Sequence, residues 1–167
     1  MPYSYCSKLK ASDRAIYRRS DEIETIVLSG AKNLRPIVKL LKHSLATENR
    51  NAIELNVREF TRRLLNLAGV SPVIIKGLAV RPSNNWGELH RLYEEAEGKL
   101  RARITIWMRT AHHKKVIAFR TFLRTLLHEI CHHLDYEVLH LPDSFHTEGC
   151  FKRESSLFHQ IVPAKKQ

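Results

Sequence analysis

Apolar positions recur with helical spacing over most of the chain and with a period of two in its middle. Ile23, Ile26 and Val27 form a short stripe that Ser20 or Asp21 can cap, predicting a first helix that Gly30 ends. Leu34, Ile37, Val38, Leu41 and Leu45 continue at helical spacing. Leu55, Phe60, Leu64, Leu65 and Leu67 predict another helix over residues 53–68, stopped by Gly69 and kept from restarting by Pro72. Residues 73–80 then read as a strand, 81–87 as a turn cluster and 88–95 as a second strand. Residues 102–108 alternate, with Ala102, Ile104, Ile106 and Met108 on one face. Glu97, Gly98 and Lys99 turn the chain between the last two strands. Phe119, Leu123, Leu126, Ile130, Leu134 and Val138 stripe a long helix over 118–139. Pro142, Asp143 and Ser144 break the chain, and a last helix is expected over 147–160. Helices, a small antiparallel sheet, a buried helix and a final helix make an α+β layout.

The chain has 167 residues, which suits one domain with a real core. Residues 1–20 are polar and basic and read as an arm or a short surface helix. The domain is expected over 21–162, with a basic tail at 163–167. No apolar run approaches the roughly 20 residues a bilayer needs, and the start lacks a signal-peptide core, so the cytoplasm is the expected location. Cys6, Cys131 and Cys150 are an odd number with no C-x-x-C pair, which argues against a disulfide framework or a cysteine-rich zinc ribbon. A formal net charge of +11 favours polyanionic partners, DNA among them. Lys8, Lys10, Arg14, Arg18 and Arg19 cluster near the start. Arg101, Arg103, Arg109, Lys114 and Lys115 flank the last strand.

The chemistry concentrates in His128-Glu129-Ile130-Cys131-His132. Two histidines four apart project from one face of a helix and can reach one zinc ion, with Glu129 beside a metal-bound water. The chain holds ten histidines, so the pattern depends on its context within a long apolar-striped helix. For the third ligand, Asp135 and Val138 stand where a metzincin needs glycine and histidine or aspartate, which excludes that class. Glu154 is available in the manner of thermolysin. His146 is the better choice, because it follows the 142–144 break, where the chain can turn back. His133 is rotated about 100° from His132. His140 lies beyond the expected site, and His112 and His113 precede the helix. Asp135 could orient a ligand or cap a surface turn. Arg153 could steady an oxyanion or sit on the surface, and Cys131 is expected to be a buried apolar residue.

Residues 124–132, Arg-Thr-Leu-Leu-His-Glu-Ile-Cys-His, and 145–153, Phe-His-Thr-Glu-Gly-Cys-Phe-Lys-Arg, resemble the SprT-like family of zinc metallopeptidases. Where that family usually has glycine directly after the third histidine and an aromatic four residues after it, this chain has Thr147 and Cys150. Gly149 and Phe151 are displaced from the usual pattern. The resemblance implies a minimal zincin-like domain and a zinc metalloendopeptidase. His128, His132 and His146 would bind Zn2+, and Glu129 would act as general base on the zinc-bound water. The strand at 102–108 would border the cleft and pair with an extended peptide. Two other readings share these residues: a basic nucleic-acid-binding protein with a structural zinc, and a zinc hydrolase of a non-peptide amide.

Overall fold

The computed structural model describes residues 3–77, 92–96 and 99–163. Of the two forms expected for the basic N-terminal stretch, the short helix is the one present. A short 3-10 helix, Ser4–Lys8, leads into α1, Ala11–Glu22, whose Tyr17 and Ser20 are buried against the rest of the molecule. The helix expected from Ile23 onward is absent. α1 ends at Glu22, and residues 23–28 run without helix. Ile26 and Leu28 are buried while Val27 between them is 85% exposed, so burial follows a period of two. The β-branched run favours that extended form. Gln160 fastens its end: Nε2 donates to the Ile26 carbonyl, and Oε1 accepts from the Leu28 amide.

Gly30 turns the chain with a φ of 77°, a left-handed conformation suited to glycine. A 3-10 turn, Ala31–Leu34, leads into α2, Arg35–Ala46. Asn49 caps α3, Arg50–Ala68, its Oδ1 accepting from the Ala52 amide at 3.1 Å. Gly69 closes that helix in the left-handed region, as its sequence position foretold.

Among the described residues three strands follow: β1 Ile74–Gly77, β2 Leu92–Ala96 and β3 Lys99–Ile106. The order is β1-β3-β2. β2 and β3 are antiparallel, but β1 runs parallel to β3, with Ile74 opposite Arg103. The sheet is therefore mixed rather than antiparallel. β3 carries the regular alternation that buries Ile104 and Ile106, and it takes the centre, where both sides are paired. It has β2 along Lys99 to Arg103 on one side and β1 along Arg103 to Ile106 on the other. The residues expected to extend β1, and the turn cluster at 81–87, lie outside the described residues, as does the tail at 164–167.

α4, Phe119–Glu137, packs on β3 and buries Phe122, Leu123, Leu126, Leu127, Ile130 and Leu134 in one core shared with the sheet and α3. α5, Glu148–Ile161, packs along α4 and against α1. The architecture is α+β. Among the described residues, no helix is long and apolar enough to cross a membrane.

Candidate metal centre

α4 carries His128, Glu129 and His132 within one turn, and the chain then reverses to bring His146 against them. The Nε2 atoms of His128 and His132 lie 3.2 Å apart, those of His132 and His146 3.2 Å, and those of His128 and His146 3.1 Å. An imidazole nitrogen either donates or accepts. Three nitrogens of two kinds always leave one edge of a triangle between like partners, so hydrogen bonding cannot satisfy all three contacts. A cation can. An ion held tetrahedrally at ~2.0–2.1 Å from each nitrogen needs them about 3.3 Å apart. The donor set therefore fits a metal ion.

The reversal has a local cause. His140 takes a φ of 50° just beyond α4, and the Leu141 amide donates to the Asp135 carbonyl at 2.9 Å. Asp143 Oδ1 accepts from the Ser144 amide at 2.8 Å and from the Tyr136 hydroxyl at 3.1 Å, which pins the break to α4. Thr147 then caps α5, its Oγ1 accepting from the Cys150 amide at 2.9 Å.

Behind His132 runs a chain of bonds. Ser144 Oγ donates to Asp135 Oδ2 at 2.6 Å and lies 2.7 Å from His132 Nδ1. The serine's single proton goes to the carboxylate, so the hydroxyl accepts from Nδ1–H. That leaves the lone pair of His132 on Nε2, facing the triangle. Asp135 thus orients the His132 imidazole through Ser144 rather than capping a surface turn. Its charge is balanced by Arg153, whose Nη2 is 3.0 Å from Oδ1; both side chains are fully buried. Arg153 is neither a surface residue nor an oxyanion group.

On the outer side, the Phe151 ring stacks on His128 with centroids 5.2 Å apart and on His146 at 6.1 Å. This aromatic, displaced by one residue from the family pattern, covers two of the three imidazoles. Burial, reinforced by neighbouring His146, pushes His128 down to about 4, which keeps its lone pair available at neutral pH. Burial also pushes Glu129 up to about 8. Glu129 is 8% exposed, and its carboxylate makes no hydrogen bond or ion pair with the described residues. A cation among the three nitrogens pulls the other way on Glu129, favouring its ionised form.

The remaining candidates lie elsewhere. Glu154 is paired with Arg124 at 2.7 Å. His133 is buried, donating from Nε2 to the Ser71 carbonyl at 3.0 Å, which ties the segment after α3 to α4. His140, His112 and His113 are exposed, and Cys131 is buried. Cys150 forms a second group with His132 and Asp135, but Asp135 is already engaged by Arg153 and Ser144. Sequence reading missed Ser144, which looked like a helix breaker, and Phe151.

Compared with protein-family models, curated proteins and solved structures, the chain finds no match.

Proposed function

We propose that the protein is a zinc-dependent metallopeptidase with a zincin-like fold, in which His128, His132 and His146 hold Zn2+ and Glu129 is the general base. The observation that carries this reading is a buried carboxylate with no partner among the described residues, next to three convergent imidazole nitrogens. Structural ion pairing would have given Glu129 a cation of its own, as Arg124 does for Glu154. Zinc held there supplies a Lewis acid that polarises a carbonyl and acidifies water. Glu129 takes the proton of the attacking water and delivers it to the leaving amine nitrogen. Ser144 and Asp135 hold the His132 ring, and Phe151 shields His128 and His146 on one side.

The resemblance of residues 124–153 to SprT-like peptidases supports a peptide substrate; the triangle and base alone support metal-assisted hydrolysis. A structural zinc would need a fourth protein ligand, and the histidine triangle has three among the described residues. The deciding experiment is metal analysis of the purified protein beside digestion of an unfolded protein. Digestion should stop with a chelator and return with zinc. Zinc binding without cleavage of any protein or peptide would transfer the reading to a non-peptide amide.

Loss of His146 should weaken zinc binding by more than the roughly 10–100-fold that loss of an outer partner costs. His146→Ala is expected to do so, while Glu154→Ala and Cys150→Ala keep wild-type affinity in a chelator-competition titration. The reverse pattern would move the third ligand.

A polyanionic partner is part of the proposal. Arg14 and Arg18 line a groove of about 620 Å³ between α1 and the first 3-10 helix, with Ser4 and Ser7. Lys8, Lys10, Arg14 and Arg18 make no ion pair with the described residues, whereas Arg109 is paired with Glu48 at 2.6 Å. DNA should bind with little sequence preference, log affinity falling against log salt by about 0.9 per phosphate contacted. Binding assays with single- and double-stranded DNA at two salt concentrations check this. No binding at low salt leaves the charge as a solubility feature.

A further inference from the structure

Two of the three imidazoles are placed by α4 itself. His146 is different: it is exposed, on a segment between helices, and contacts from residues more than 120 positions earlier hold that segment. The Tyr5 hydroxyl donates to the His146 carbonyl at 2.6 Å. Asp21 Oδ1 accepts from the Gly149 amide at 2.9 Å, and Ser20 Oγ lies 3.4 Å from Thr147 Oγ1. Gly149 is pressed against the end of α1 so closely that a Cβ there would lie 2.5 Å from the carbonyl oxygens of Ser20 and Asp21. Arg153 donates to the carbonyls of Ser20 and Ile23. Aromatic packing follows the same route: Tyr5 meets Tyr17 edge-on at 5.7 Å, and Tyr17 meets Phe145 at 6.3 Å. His146 is thus bracketed on both sides, and its own carbonyl is held, by the first two dozen residues.

We propose that this N-terminal segment is a clasp for the third ligand, and that Tyr5 is a positioning residue that sets where the His146 imidazole meets the other two. The claim rests on the metal reading above. It makes the metal affinity of the site a property of the N-terminus: with the clasp displaced, the α4 pair remains and the third nitrogen is lost from the triangle. Tyr5→Phe is the sharpest probe, since it keeps the ring on Tyr17 and removes only the hydroxyl.

The experiment uses the full chain. Zinc affinity is measured by chelator competition, the ligand field by the visible spectrum of the cobalt(II) form, and fold integrity by the thermal midpoint of the metal-free protein. Tyr5→Phe should bind zinc about tenfold more weakly, with an altered cobalt spectrum and an unchanged metal-free midpoint. Asp21→Ala should behave similarly, and Asp21→Asn, which keeps an acceptor for the Gly149 amide, should restore binding. Wild-type affinity and spectrum in Tyr5→Phe would overturn the clasp and leave the metal reading intact. So would an affinity loss that only tracks a fall in the metal-free midpoint. A wild-type protein that binds neither zinc nor cobalt would overturn the metal reading, and the clasp with it.

Discussion

Glu129→Gln is expected to bind zinc as the wild type does and to lose hydrolysis by roughly 10²–10⁴-fold, the range a positioned general base contributes. Glutamine fills the same volume, so the packing around that position is undisturbed. It keeps a polar oxygen but cannot take a proton from water. The three imidazoles do not depend on Glu129, because α4 sets two of them and Ser144 fixes the tautomer of His132. A second effect should separate this from a general loss of structure. Glu129 is a buried carboxylate with no partner among the described residues, so replacing it with a neutral group should raise the stability of the metal-free protein. Kinetics on a cleavable peptide, zinc analysis and denaturant unfolding together give the answer. Wild-type turnover in the variant would remove Glu129 from the mechanism. Lost turnover with lost stability would make it a structural residue.

The parts of the fold that were legible in the sequence are those whose burial pattern is long. α3 and α4 run for 19 residues each, and their apolar stripes extend over several turns before a Gly69 or a Pro142 interrupts. The stretch after Glu22 is too short for that. Ile23, Ile26 and Val27 fit a helical spacing as well as chance allows, and only tertiary contact with Gln160 shows that burial there alternates. The orientation of β1 has no local signature, since a parallel pair depends on where the long connection returns the chain. Within the site, the convergence of His128 and His132 follows from helix geometry alone. The support behind it could have been suspected. Asp135 falls beside Cys131 and Leu134 on the buried face of α4, and Arg153 falls among Cys150, Leu157 and Ile161 on that of α5. A charge within an apolar stripe is seldom buried without an opposite partner. The contribution of Tyr5 had no such signal, because it joins residues 141 positions apart.

Arg153→Met should be the most destabilising single change outside the histidine triangle, at about 3–5 kcal/mol, the usual consequence of leaving one member of a buried ion pair alone. For a domain of this size that is a fall in the unfolding midpoint of roughly 6–20 °C. The guanidinium does more than balance Asp135. It also donates to the Ser20 carbonyl at 2.6 Å, to Ser20 Oγ at 2.9 Å and to the Ile23 carbonyl, closing the end of α1 onto α5. Methionine fills much of the volume but meets none of these acceptors. Denaturant unfolding of the metal-free protein checks it, and a loss under about 1 kcal/mol would show that the pair is not held as described. The double variant Arg153→Met, Asp135→Leu distinguishes the two roles of the carboxylate. Removing both charges should recover part of the stability, since a buried pair is often replaceable by apolar groups. It should not recover zinc affinity. Without Asp135 the Ser144 proton has no carboxylate to point at, the hydroxyl is free to donate to His132 Nδ1, and the tautomer that directs the Nε2 lone pair at the metal is no longer enforced.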